Sequence, residues 1–163
     1  MRHRWLLVWL SLLPPSAGCW IVEGTLDSEA AQAYSRRFVE VARGAVATLE
    51  KAAHILGDAR QSCAVRQQRA GAFIEAELPK LRERLHALHG DLERLNPATR
   101  RRAVELTNVE LKFVVNQGFS GRIVGATEAF RRNCPAEANK VVPEVLEYRR
   151  VLEHASALRA KEP

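Results

Sequence analysis

From Asp27-Ser28 onward, apolar residues recur at three- and four-residue steps: Tyr34, Phe38, Val41, Ala45, Leu49, Ala52 and Leu56. That period places them on one face of a helix over 28–56, which Gly57-Asp58 ends. The next stripe is the most regular in the chain. Leu78, Leu81, Leu85, Leu88, Leu92 and Leu95 alternate the two steps without a fault, and the same face extends back through Ile74, Ala70, Gln67 and Cys63. It predicts a helix over 59–95. Pro79 lies inside it, and because the stripe keeps its phase across Pro79 a kink is expected and not a stop. Asn96-Pro97 is a helix junction, with asparagine as cap and proline in the first position. A third helix then carries Leu106, Val109, Phe113, Asn116, Ser120, Ile123, Thr127, Phe130 and Cys134 on one face and ends near Asn133, before Pro135. A shorter fourth helix opens near Pro143, with Val145, Tyr148, Leu152 and Ala155 as its stripe. Four helices on short turns predict an all-α, up-down-up-down bundle.

The two longest arms fix a register. Folded back antiparallel about Asn96-Pro97, they set Leu88 level with Val109, Leu85 with Phe113, Ile74 with Ile123 and Glu75 with Arg122. Cys63 then comes level with Cys134 at the far end. A Cys63–Cys134 disulfide is expected to close this B–C hairpin; the alternative is two free buried thiols. The bond would close a loop of 71 residues (134 − 63), worth roughly 4 kcal/mol by a chain-entropy estimate.

The first residues follow a different pattern. Arg2, His3 and Arg4 precede a short apolar run, Trp5 to Leu13, broken only by Ser11. Pro14-Pro15 ends it, and Ser16-Ala17-Gly18 follows. This reads as a signal peptide over 1–18, too short to span a bilayer. Residues 19–27 read as a linker and 28–160 as the bundle domain. Ala17-Gly18-Cys19 resembles the lipobox of bacterial lipoproteins, with Ser16 standing where that pattern has a branched aliphatic residue. The resemblance implies lipidation at Cys19 and membrane attachment through the acyl chains. An ordinary signal peptidase could cut the same bond and leave a soluble, secreted form.

Composition adds little to this picture. Of the 25 basic residues, Arg2 and Arg4 leave with the signal, so the rest carries +4 against 19 acidic residues. That excess is mild, and no nucleic-acid partner is expected. Arg94, Arg100, Arg101 and Arg102 cluster at the B–C turn. Three of them stand in the first turn of a helix, where the dipole opposes them, which makes the tip a candidate contact for an acidic partner or lipid headgroups. Arg131 and Arg132 end a helix, where the dipole favours them.

Candidates for chemistry are sparse. One Glu-x-x-His pair, Glu83 and His86, falls short of the two that a di-iron bundle needs. Glu83 and His86 lie off the leucine stripe and should face water; His86 and His89, three apart, could share a surface ion, against the alternative of two solvated histidines. No Cys-x-x-Cys-His occurs for haem attachment. Ser120 has Gly118 two residues before it but Arg122 two after, so it is no nucleophile elbow. No cofactor, metal or enzymatic activity is expected. In the register above Gly118 faces Pro79, and Gly118, Gly121 and Gly125 weaken the helix at that level. Glu77, Pro79, Asn116, Gln117, Gly118 and Ser120 are therefore a candidate pocket or hinge, against the alternative that glycine makes room for the proline.

These readings predict a non-enzymatic envelope protein, anchored by lipid at Cys19, that binds or scaffolds another envelope protein. In architecture it is similar to pilotins and other small helical lipoproteins, though no motif identifies that family. The alternatives are a secreted four-helix signalling protein and a periplasmic bundle that binds a small ligand.

Overall fold

The structure, a computed structural model, describes the backbone of residues 17–118 and 121–157, with side chains for all of these except 17–26, 113, 115–118 and 156–157. Among the described residues there are five helices and no strand: α1 (Ala17–Gly57), α2 (Cys63–Glu93), α3 (Pro97–Gly118), α4 (Arg122–Asn133) and α5 (Pro135–Ala157). The protein is an all-α bundle, and Cys63 and Cys134 are disulfide-bonded with their Cα atoms 5.7 Å apart.

Helices α1 and α2 run antiparallel, and α3 followed by α4 leads back from the α2–α3 turn to the disulfide. Asn96, between α2 and α3, donates through Nδ2 to Asp27 Oδ1 at 3.0 Å, so the start of α1 lies at the α2–α3 turn. The end of α1 lies at the disulfide, where Arg66 Nη1 donates to the Leu56 carbonyl at 2.9 Å. Helix α1 packs against α2, α3 and α4, while α5 packs against α2 and α4. Helices α2 and α3 scarcely touch. The two expected hairpin arms are thus stapled at one end without sharing an interface along their length. Val109, expected opposite Leu88, is 60% exposed, whereas Leu88 is buried.

The physical reason lies in α1. Its buried set includes Phe38, Val39, Ala42, Ala45, Val46, Leu49, Ala52, Ala53 and Leu56. That band is wider than one seam and serves two neighbours at once. Helix α1 also packs on α3, and both helices bury small residues. Ala31, Ser35 and Ala42 on α1, and Thr99, Ala103 and Thr107 on α3, are at most 3% exposed, which lets the helices approach closely. The buried face of α3 is therefore Thr99, Ala103, Val104, Thr107, Leu111 and Val114, rotated from the stripe through Val109. The Thr107 hydroxyl needs no partner on another helix, because it donates to the Ala103 carbonyl at 2.7 Å.

Element boundaries shift for local reasons. Helix α1 begins eleven residues before the expected start and includes the stretch read as a linker; Gly24 alone, at about 1 kcal/mol relative to alanine, does not interrupt it. Helix α2 begins at Cys63, not 59. Asp58 draws residues 58–61 into a turn by accepting from the Arg60 backbone N–H at 3.2 Å and from Gln61 Nε2 at 2.8 Å. Ser62 then caps α2 through Oγ to the Val65 N–H. The helix runs unbroken through Pro79, which is exposed, so water can satisfy the freed Glu75 carbonyl. The expected third helix is divided into α3 and α4 at its glycine-rich stretch. Helix α5 opens at Pro135, not Pro143, because Ala138, Val141 and Val142 seal its first turns onto the core. Pro143 sits on its exposed side.

Candidate functional site

The disulfide end of the bundle holds the most unusual group in the protein. Arg66 follows Cys63 by three positions and precedes Ala70 by four, so it falls on the buried stripe of α2 and is only 9% exposed. Its Nη1 donates to the Leu56 carbonyl in the last turn of α1. Its Nη2 lies 3.0 Å from Cys134 Sγ and 3.5 Å from Cys63 Sγ. The guanidinium carbon sits 5.1 Å from the centre of the Phe130 ring on α4, in cation–π range. Among the described residues Arg66 has no acidic partner within ion-pair distance, and its Nε has no hydrogen-bond acceptor. One cation therefore ties the C-terminal end of α1, the start of α2 and the α4–α5 junction to the sulfur bridge. The apolar stripe of the sequence runs through Gln67 on this face; the signal for Arg66 is its spacing from Cys63 and Ala70.

At the opposite end, the arginine cluster is largely occupied by internal contacts. Arg94 is paired with Asp91, and Asp91 is also held by Arg37 of α1 at 2.7 Å. The hydrogen bond from Arg94, opposed by some desolvation and helped by the charge of Arg37, holds the Asp91 carboxyl below its usual range. Arg100 donates to the Glu93 and Leu95 carbonyls at the end of α2. Arg102 pairs with Glu105 at 3.3 Å. Arg101 is exposed with no ion pair among the described residues.

Of the candidate pocket or hinge, only Glu77 and Pro79 have described side chains. Pro79 faces solvent on α2, Glu77 pairs with Lys80 at 2.7 Å, and α2 scarcely contacts α3. The side chains of Asn116, Gln117, Gly118 and Ser120 lie outside the described residues, as do the signal segment 1–16 and the Cys19 side chain. An open cleft of about 750 Å³ lies elsewhere, between the C-terminal half of α1, the α1–α2 turn and the start of α4; Glu50, His54, Asp58, Arg60 and Arg122 line it.

His89 Nε2 lies 3.1 Å from Glu93 Oε1, and His86 is exposed. Among the described residues no three potential metal ligands converge, and no helix is long and apolar enough to cross a membrane. Where α2 meets α5, Glu144 lies against Gly71. Burial first, and the charge of Glu75 second, push the Glu144 carboxyl above its ordinary value.

No protein-family model, curated protein or solved structure matches this chain.

Proposed function

We propose that this chain is an exported, non-enzymatic helical-bundle protein of the cell envelope, anchored by lipid at Cys19, which binds or scaffolds another envelope protein. The observation that carries this reading is the Cys63–Cys134 bridge. Such bonds persist mainly in oxidising compartments, and the basic-then-apolar N-terminus ending at Ala17-Gly18-Cys19 supplies a route there. The bundle itself offers a stiff, stapled body suited to holding a partner. The test is the mass of the mature N-terminus together with cross-linking in intact envelopes. Acyl mass on Cys19 and one dominant protein adduct are expected. An unmodified terminus with no adduct overturns the proposal and favours the secreted form.

The cleft beside Arg60 and Arg122 favours a second reading, a bundle that binds a small ligand. Its mixed charge suits a small molecule bearing both signs. A native mass spectrum of freshly purified protein carrying a non-covalent adduct that Arg122→Ala removes would support it; a clean apo mass would sink it.

A further inference from the structure

The Arg66 guanidinium is a cation withdrawn from water with no carboxylate to balance it among the described residues. Helix C-terminal carbonyls, here that of Leu56, supply only partial negative charge, and an unpaired buried ion is costly. The nearest ionisable neighbours in sequence, Asp58 and Arg60 in the turn, Arg69 on α2, Arg131 and Arg132 on α4, and Glu137 on α5, are all at least partly exposed. One full negative charge can form inside this site: a thiolate on Cys134, whose sulfur is already 3.0 Å from Nη2. The two sulfurs differ in access. Cys134 is 1% exposed and covered by the bundle, whereas Cys63 is half-buried at the first position of α2.

We propose that Cys63–Cys134 is an exchange-active disulfide with a fixed polarity of attack, and that its co-reactant is a dithiol. One thiolate of the dithiol attacks Cys63 Sγ. A sulfur–sulfur bond forms between them as the Cys63–Cys134 bond breaks, and the electron pair leaves on Cys134 Sγ as a thiolate held by Arg66. The second thiolate of the reductant then attacks its own partner sulfur in the mixed disulfide. Cys63 departs as a thiolate and takes a proton from water. The dithiol becomes a disulfide, and the protein gains two electrons. Arg66 acts at the first of these steps by stabilising the leaving group. The same contact favours the reduced protein at equilibrium, because reduction supplies the charge that Arg66 lacks. After loss of the bond, Arg66, through Cys134 and Phe130, still links the start of α2 to the α4–α5 junction.

The test begins with the native chain. Glutathione, a monothiol, traps the first step; the reaction is quenched with an alkylating agent and mapped by peptide mass spectrometry. Glutathione on Cys63 and a free, alkylated Cys134 are expected. Glutathione on Cys134, or no reaction until the helices melt, overturns the proposal. The second measurement uses Cys63→Ser and follows thiolate absorbance near 240 nm against pH. The Cys134 midpoint is expected at least one unit below the ordinary value of about 8.5; a midpoint at or above that value overturns the proposal and needs no further variant. With Arg66→Met added, and helicity checked by circular dichroism, the midpoint should return to or above 8.5, while Arg66→Lys should keep part of the depression. In the two-cysteine protein Arg66→Met should shift the equilibrium with a dithiol buffer at least tenfold toward the disulfide, about 30 mV for two electrons.

Discussion

Arg100 Nη2 donates to the Glu93 carbonyl at 2.7 Å, so the first turn of α3 closes the last turn of α2. It also reaches the Leu95 carbonyl at 3.4 Å. This contact explains a charge that the helix dipole disfavours where it stands. The guanidinium sits poorly at the N-terminus of α3 and well at the C-terminus of α2, and the second effect offsets the first. Arg100→Ala should therefore destabilise the fold by about 1 kcal/mol. Arg101→Ala should stay within about 0.5 kcal/mol. Urea midpoints of the two variants at one pH check the contrast.

Helices α1 and α3 pack on each other and both bury small side chains, so they should resist enlargement there. Ala103→Leu, at a fully buried position, should cost about 2 kcal/mol or more through overpacking. Val109→Ser should change stability by less than about 0.5 kcal/mol, since Val109 is 60% exposed. Thermal melts would separate the rotated face from the face predicted by the stripe. A large loss for Val109→Ser would contradict the packing described.

Gly44 lies inside α1 with open space where a Cβ would stand. Gly44→Ala should raise stability by about 0.5–1 kcal/mol, because alanine loses less backbone freedom on forming helix. A lower urea midpoint would show that α1 is not regular there.

Glu144 supplies a pH signature. Burial and Glu75 raise its carboxyl above the ordinary 4.5, so between those values the folded chain holds a proton that the unfolded chain has lost. Its destabilising effect is complete above the raised value and vanishes as pH falls below 4.5. Glu144→Gln should thus stabilise the protein at pH 7 and give no gain near pH 4. Asp91 works in the opposite sense. Its carboxyl is held below 3.8, so its favourable contribution is present above that value and disappears as pH falls through the lowered one. Urea midpoints across pH 3–7 for Glu144→Gln and Asp91→Asn test both signs.

Replacing Cys63 and Cys134 together by serine should lower stability by roughly 4 kcal/mol on the chain-entropy estimate for so long a loop. The loss would be read from chemical denaturation in the absence of reductant. A loss under about 1 kcal/mol would mean that the staple constrains the unfolded chain far less than its span suggests.

Large apolar residues made much of this fold legible. The leucines at 81, 85, 88 and 92 are buried as their spacing requires. The Asn96 side chain accepts from the Thr99 N–H at 2.9 Å as a cap, and the two thiols meet. What stayed hidden involved residues whose burial depends on a neighbour. Ala103 and Thr107 look indifferent to water until a second helix presses on them. Two prolines, Pro79 and Pro143, lie inside helices, and both face solvent. Arg66 was obscured by its charge, since a periodic reading treats arginine as surface and turns to the adjacent glutamine. The antiparallel register placed the cysteines correctly, yet it could not show that a third helix lies between the arms it joined.

Helix α1 spans 41 residues without a break. From Cys19 to Gly57 it covers on the order of 55 Å at 1.5 Å per residue. A molecule tethered by that cysteine would stand like a mast, with the α2–α3 corner toward the bilayer and the sulfur bridge toward the masthead. Reductants and partners arriving from the aqueous side would then meet the Arg66 end first, and the arginine-rich corner would be left to the lipid side.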